Sequence, residues 1–269
     1  MITSLLKEVT GRTFAPCDFV MLFNVRLDET GTDGGSDYVT VGGAVSITPR
    51  WEQLEADWKG ILAPKGVEHF HLVDFDQRTG PFKNWGNLKA NLFEKKLKKA
   101  ITKNTYFRCA ISVDSAAHSA VKKKMRGIKG FRADSDYTLC LRYLLFHTCE
   151  QLCLIDPDCR LSVIVEDGPW VAGASDAYQR IVRMQGKWKP AKHAHRLSGF
   201  TSLPKGTLYS LEAADYLVGR EHERLMANGK SKFDVLGKVL TAAELDVWYE
   251  AMLREKELRR AFGGGGKKD

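Results

Sequence analysis

Two apolar, β-prone runs separated by a short turn-forming segment constrain this chain more than any other feature in it. Phe19 to Leu27 (FVMLFNVRL) and Tyr38 to Ile47 (YVTVGGAVSI) flank the connector GTDGGS, which has the composition of a hairpin loop. The pair predicts an antiparallel hairpin. Thr48-Pro49-Arg50 then predicts a helix from Pro49 to about Leu62, with Thr48 as N-cap and proline at the first helical position. An extended HFHLVDF segment and the turn-rich QRTGPFKNWG lead into a helix over about Asn87 to Lys103 and a strand over Thr105 to Asp114. A basic connector, KKKMRGIKGFR, precedes a helix over about Asp134 to Leu154, and RLSVIV (Arg160 to Val165) reads as another strand. Helices follow at about Ala174 to Trp188, Leu208 to Met226 and Thr241 to Phe262, with one further short strand expected within Ala194 to Phe200.

No repeat and no linker interrupts this series. The expected class is therefore α/β, a mixed sheet flanked by helices with extra helices towards the C-terminus. Residues 18–262 form one domain in this reading, with residues 1–17 as an N-terminal extension and GGGGKKD (263–269) as a flexible tail. At 269 residues and 43% hydrophobic, the chain can bury a large core.

A net charge of +8 makes a polyanion a natural partner, although ordinary surface solvation accounts for such a balance equally well. No apolar run approaches the roughly 20 residues a membrane span needs. The opening MITSLLKEVTGRTF is too short in apolar length for a signal peptide, so the cytoplasm is the expected compartment. Six cysteines (Cys17, Cys109, Cys140, Cys149, Cys153, Cys159) show no disulfide-framework spacing and read as buried thiols. Cys149 and Cys153 lie one helical turn apart, but two further zinc ligands at suitable spacing are missing. Glycine-rich phosphate-loop and nucleophile-elbow motifs are absent.

Three acidic clusters close or interrupt apolar runs: Asp28-Glu29, Glu166-Asp167, and Asp215 with Glu212 one turn before it. Carboxylates beside apolar residues cost free energy unless a cation meets them. Alternation sets Asp28 on the more polar face of its strand, with Arg26 and Asn24, and Glu29 on the other; a turn-forming acid pair is the plainer alternative. On RLSVIV the same rule groups Glu166 with Ile164 and Ser162, and Asp167 with Val165. Glu166 is favoured for the site, but the local bend decides between the two. Asp215 falls within the stripe Leu208, Leu211, Ala214, Val218, Leu225 and must be neutral, salt-bridged or cation-bound. Together these carboxylates suit one or two Mg²⁺ (or Mn²⁺) ions of the kind that activate water for phosphodiester cleavage.

The phrases VRLDETGT, YVTVGGAVSITPRWEQLEADWKGIL, HFHLVDFDQRTGPFKNW, VIVEDG and SLEAADYLVG resemble, in order and spacing, the motifs of the domain of unknown function 3800 family, over roughly Phe19 to Arg224. That resemblance implies an RNase H-like fold related to integrases and nucleases with two-metal acidic sites. It maps Asp28 onto the first-strand acid, Glu166 or Asp167 onto the central-strand acid, Asp215 onto the helix acid, and His71 and Asp74 onto the His/Asp-Phe segment. Two residues depart from the family pattern. Thr30 stands in place of serine and keeps the hydroxyl. Glu212 stands where glutamine is common and adds charge beside Asp215.

The implied activity is metal-dependent hydrolysis of nucleic-acid phosphodiester bonds. Asp28, Glu166, Asp167 and Asp215 are candidate metal ligands, and Asp28, Glu166, Asp215 and His71 candidate catalytic groups. Glu29, Asp74 and Glu212 are expected to support them. Lys122, Lys123, Lys124, Arg126 and Lys129 are candidates for a mobile loop contacting nucleic acid, while the lysines of Lys95 to Lys99 read as a solvated helix face. His69 and His71 lie on one side of an extended segment; two histidines without a cysteine partner are more often surface groups than zinc ligands. The alternative function is a non-catalytic nucleic-acid-binding or defence-associated module that keeps the fold with a degenerate site. A small-nucleotide phosphohydrolase is a third reading, and oligomeric state is not legible.

Overall fold

A computed structural model of the chain describes residues 21–128, 131, 133–184, 192–193, 196–228 and 236–263. The hairpin is present: β1 (Leu22–Thr30) runs antiparallel to β2 (Tyr38–Ile47), with Asp28 opposite Gly42 and Leu27 opposite Gly43. Gly43 has φ 158°, and a Cβ there would stand 1.9 Å from the Arg26 carbonyl oxygen. Only glycine lets the two strands approach at that point.

Among the described residues, four more strands complete the sheet around this pair. β3 (Phe107–Asp114) pairs antiparallel with β2, β4 (Arg160–Glu166) pairs parallel with β1, and β5 (Leu197–Leu203) pairs parallel with β4. A sixth strand, β6 (Leu236–Leu240), lies parallel to β3 and was not foreseen. The order is β5-β4-β1-β2-β3-β6. This is the expected α/β class, a mixed sheet flanked by helices.

The helices are α1 (Thr48–Leu62), α2 (Leu72–Gln77), α3 (Asn87–Asn104), α4 (Ser115–Met125), α5 (Asp136–Ile155), α6 (Val171–Arg183), α7 (Tyr209–Asn228) and α8 (Ala242–Gly263). Two clusters of buried residues fill the two sides of the sheet. One joins Val25, Leu27, Val163 and Val165 to Leu141, Leu144 and Leu145 of α5, and to α6 and α8. The other packs α1, α2, α3 and α7 around Phe70, whose ring meets Trp58, Phe75, Phe82, Phe93 and Tyr216. No helix among the described residues is long and apolar enough to cross a membrane.

Several local expectations change. Thr48 does not cap α1; its hydroxyl accepts a hydrogen bond from the Asn24 side chain, and Ile47 occupies the cap position without a side-chain bond. HFHLVDF is extended only to His71 and then turns into α2. Lys122, Lys123 and Lys124 belong to the last turn of α4 and not to a loop, because Val121 and Met125 bury one side of that helix. The helix expected over Ala174 to Trp188 runs from Val171 to Arg183, and Trp188 lies outside the described residues.

Candidate active site

Strands β1, β4 and β5 run in one direction, so their C-terminal ends share an edge of the sheet. This is the edge where polar side chains escape the core. Leu161, Val163 and Val165 are buried against α5 and α6, so strict alternation sends Ser162, Ile164 and Glu166 to the opposite face. On β1 the same rule buries Phe23, Val25 and Leu27 and turns Arg26 and Asp28 to the face covered by α1 and α7. Arg26 is buried and ion-paired to Glu55 at 2.7 Å, with its guanidinium over the Trp51 ring.

Glu55 has a second task that places α7. Its carboxylate accepts the main-chain N–H groups of Tyr209 at 2.8 Å and Ser210 at 3.1 Å, and the Ser210 hydroxyl. A carboxylate from another helix thus satisfies the orphan donors and the positive end of α7. One and two turns further on, α7 offers Glu212 and Asp215 to the sheet edge.

These residues line a cavity of about 450 Å³. Asp28, Glu29, Glu166 and Asp215 contribute to its wall, as do Asp74, Glu212, His69 and His71. Asp167 is not among the lining residues; its N–H donates to the Leu203 carbonyl at 2.8 Å, continuing the β4–β5 pairing. The cavity also takes Lys205 and Gly206 from the turn after β5. Neither was singled out in the sequence. Pro204-Lys205-Gly206 following a strand was the available signal, and Gly206 has φ 77°, the left-handed conformation that turn requires.

The acids do not play equal parts. Glu212 is buried and fully engaged: it accepts from Trp58 Nε1 at 3.0 Å and Phe70 N at 3.1 Å, and lies 3.1 Å from His69 Nδ1. It fastens the segment before α2 onto α7. Asp215, expected within the core-facing stripe, is half-buried and turned into the cavity. It accepts the Leu72 N–H at 3.0 Å and stands 3.9 Å from His71 Nδ1. Among the described residues Asp28 accepts only the N–H of its neighbour Glu29, at 2.9 Å. Glu166 faces Lys205 Nζ at 3.7 Å.

Crowding shows in the protonation behaviour. Asp28 is pushed well above the usual carboxylate range, first by burial and then by the charges of Asp215, Glu29 and Glu166. Glu29 rises to about 7 through burial and the Glu166 charge, with Lys205 opposing. Glu166 is also raised, mainly by burial. His71 moves up because it bonds to Asp215, against the pull of burial.

Among the described residues, six carboxylates face the cavity with one lysine and two histidines. Hard oxygen donors from β1, β4 and α7 suit a hard divalent cation, and an excess of negative charge away from bulk water is what such a cation relieves. Among the described residues, no group of three or more His, Cys, Asp or Glu side chains is gathered tightly enough to form a ready metal cage. Mutual repulsion and the competing hydrogen bonds of Asp215 and Glu212 both act to keep these side chains apart.

The basic candidates sit elsewhere. Lys122 pairs with Asp136 at 3.2 Å and Lys124 with Asp246 at 2.8 Å, on the α5 and α8 side of the sheet. Lys123 and Arg126 line a separate groove with Phe131. Lys129 lies outside the described residues.

No family model matches the chain, and no curated protein is similar to it. Two solved structures of Bst-RNase HIII are. A point mutant is 14% identical, with a TM-score of 0.40 over 78% of this chain and 56% of that one. The protein in complex with Mn²⁺ is 15% identical, with a TM-score of 0.39 over 92% of this chain and 66% of that one. This chain spans less than two thirds of the length of either. A likeness this distant identifies no site residue.

Proposed function

We propose that the protein is a divalent-metal-dependent phosphodiesterase acting on nucleic acid, with Asp28, Glu166 and Asp215 as the groups that hold Mg²⁺ or Mn²⁺. One observation carries the reading. Three carboxylates from β1, β4 and α7 line the same cavity, and at Asp28 the ionised form is penalised first by burial and then by the charges of Asp215, Glu29 and Glu166. A cavity so negative repels a phosphate unless cations enter with it. The motif order, which resembles that of the domain of unknown function 3800 family, supports the same assignment.

A bound divalent ion supplies charge neutralisation for the phosphate and eases deprotonation of the attacking water. The protein's own groups do the rest. Lys205, exposed at the cavity mouth and facing Glu166, meets a phosphate oxygen. Asp215 favours the protonated form of His71, which places a proton donor beside the leaving oxygen. Glu212 acts only through the segment it fastens, and Asp167 takes no direct part. The net charge of +8 keeps a polyanion near the surface while the acidic cavity handles one scissile phosphate.

The test is cleavage of single- and double-stranded DNA and RNA and of free nucleotides, with and without Mg²⁺ or Mn²⁺. Metal-dependent cleavage of a polymer that disappears in Asp28→Asn, with the circular dichroism spectrum unchanged, is the expected result. Absence of divalent-ion binding at millimolar concentration overturns the reading.

A second reading has its own observation. The lack of a tight ligand cage among the described residues favours a nucleic-acid-binding module whose site no longer turns over. In that case salt-sensitive binding persists, no substrate is cleaved, and Asp215→Asn changes nothing.

A further inference from the structure

The edge of the sheet opposite the acidic cavity carries a different cluster. Cys153 lies in the last turn of α5, Cys159 just before β4, and Arg196 just before β5. The cluster therefore sits at the N-terminal ends of the parallel strands, roughly 20 Å from Glu166 along β4. Arg196 Nε donates to Cys153 Sγ at 2.6 Å, and His193 Nδ1 stands 3.0 Å from the same sulfur. Cys153 is half-buried, while Arg196 is only 7% exposed.

Arg196 is the observation that makes this more than a cysteine near a histidine. A guanidinium is charged at any ordinary pH and, when buried, needs an anion or a full set of acceptors. Among the described residues the Nη1 of Arg196 is buried without a hydrogen-bond partner, and its guanidinium also bonds to the Cys159 thiol. The surrounding sequence from Gln185 to His195 contains no Asp or Glu. The buried cation is thus directed at sulfur. It also excludes a preassembled zinc site at Cys149, Cys153 and Cys159, because a metal ion would have to displace it.

We propose that Cys153 is a reactive modification site, a nucleophilic thiol with His193 as its base and Arg196 as the cation that stabilises charge developing on sulfur, oxidised by hydroperoxides to a sulfenic acid. The step balances within these groups. Cys153 Sγ attacks one peroxide oxygen, the S–O bond forms and the O–O bond breaks. The thiol proton passes to His193 Nδ1 and from there to the departing hydroxide or alkoxide, which leaves as water or an alcohol. Sulfur is oxidised by two electrons and the peroxide reduced by two.

One force opposes the step. The carbonyl end of α5 disfavours negative charge at Cys153, but a partial charge spread over a helix end is weaker than a full charge in direct hydrogen-bond contact. The other described thiols are poor competitors. Cys109, Cys140 and Cys149 are buried and pushed far up by that burial, and Cys159 rises to about 11 for the same reason.

The experiment exposes the full-length native protein to hydrogen peroxide in the presence of dimedone and maps adducts by peptide mass spectrometry. The rate of carbamidomethylation by iodoacetamide is followed on the same peptides. A dimedone adduct is expected at Cys153, with a labelling rate that falls at least about tenfold in His193→Gln and also falls in Arg196→Lys. Both variants should label at the wild-type rate in guanidinium chloride. His193 is half-buried, so its variant remains informative if Arg196→Lys does not fold. Absence of the adduct at Cys153, or an unchanged labelling rate in His193→Gln, overturns the proposal.

Discussion

Asp215 and Leu72, 143 residues apart, are joined by a hydrogen bond of 3.0 Å from the Leu72 N–H to Asp215 Oδ2. Leu72 begins α2, and His71 before it offers no side-chain cap, so a carboxylate of α7 serves as the cap of a helix remote in sequence. Asp215 therefore carries a structural task and, in the proposed function, a ligand's task. The two separate by substitution. Asp215→Asn keeps an oxygen acceptor for Leu72 and loses the charge, so cleavage should fall by about a hundredfold or more while the melting temperature holds or rises. Asp215→Ala also removes the cap and should cost a further ~1 kcal/mol in a urea titration. Equal stabilities for the two variants would show that the cap contributes nothing.

The crowded carboxylates give the metal-free protein a definite pH dependence. Glu29 is raised from 4.5 to about 7 by burial first and Glu166 second. Between those values the folded chain holds a proton that the unfolded chain has released. The stabilising contribution is complete below pH 4.5 and is lost as pH rises through 7. Its size is on the order of 1–3 kcal/mol once solvent screening is allowed for. Melting curves in chelator from pH 4.5 to 8 should show the decline. Glu29→Gln should flatten it, and millimolar Mg²⁺ should recover stability at the upper end.

Asp28→Asn tests the neighbouring carboxylate. Asp28 is raised by burial and by three like charges, so its ionised form is a liability in the absence of a cation. Replacing it should stabilise the metal-free protein by about 1 kcal/mol at pH 8 while abolishing activity, the trade expected where function maintains strain. A loss of stability at pH 8 would mean that its bond from the Glu29 N–H outweighs the repulsion.

Much of this site was legible because strand alternation is a rigid rule. Val163 and Val165 had to be buried, and that alone turned Glu166 towards the side occupied by Asp28 and α7. The helical stripe located Asp215 near the core but could not show that it would turn aside to meet Leu72, because that bond depends on where α2 begins. Glu55 was invisible for a similar reason: its partners, Tyr209 and Ser210, lie more than 150 residues away. Lys205 was missed because one lysine in a turn carries no pattern, and only the cavity gives it meaning. β6 was missed because LGKVL is short and gains its strand character from pairing with β3.

Glu212 offers a test of support at a distance. Its carboxylate receives the indole N–H of Trp58 and the N–H of Phe70, both within the cluster centred on the Phe70 ring, and touches the more exposed His69. Glu212→Ala leaves those buried donors unpaired and should cost about 2–4 kcal/mol. Glu212→Gln keeps one acceptor oxygen and should cost less. The segment that Glu212 fastens leads directly to His71, so the glutamine variant should bind substrate normally and lose turnover modestly. A turnover loss as large as that of Asp215→Asn would move Glu212 from a positioning role to a ligand.

Lys205 decides whether the cavity meets phosphate at its mouth. Among the described residues it is the one lysine lining the cavity, it faces Glu166 at 3.7 Å, and its charge partly offsets the raised carboxyls of Glu29 and Glu166. In the proposed function Lys205→Ala removes a phosphate contact, and it leaves the carboxylates less screened. KM for a nucleic-acid substrate should rise by about tenfold with a smaller change in kcat, because a contact made equally in the ground and transition states contributes to binding alone. Divalent-ion affinity should rise in the same variant, since a competing positive charge has gone. Titration calorimetry with Mn²⁺ reads that change directly. Weaker Mn²⁺ binding in Lys205→Ala would place the lysine's main effect on the fold of the turn and not on the charge of the cavity.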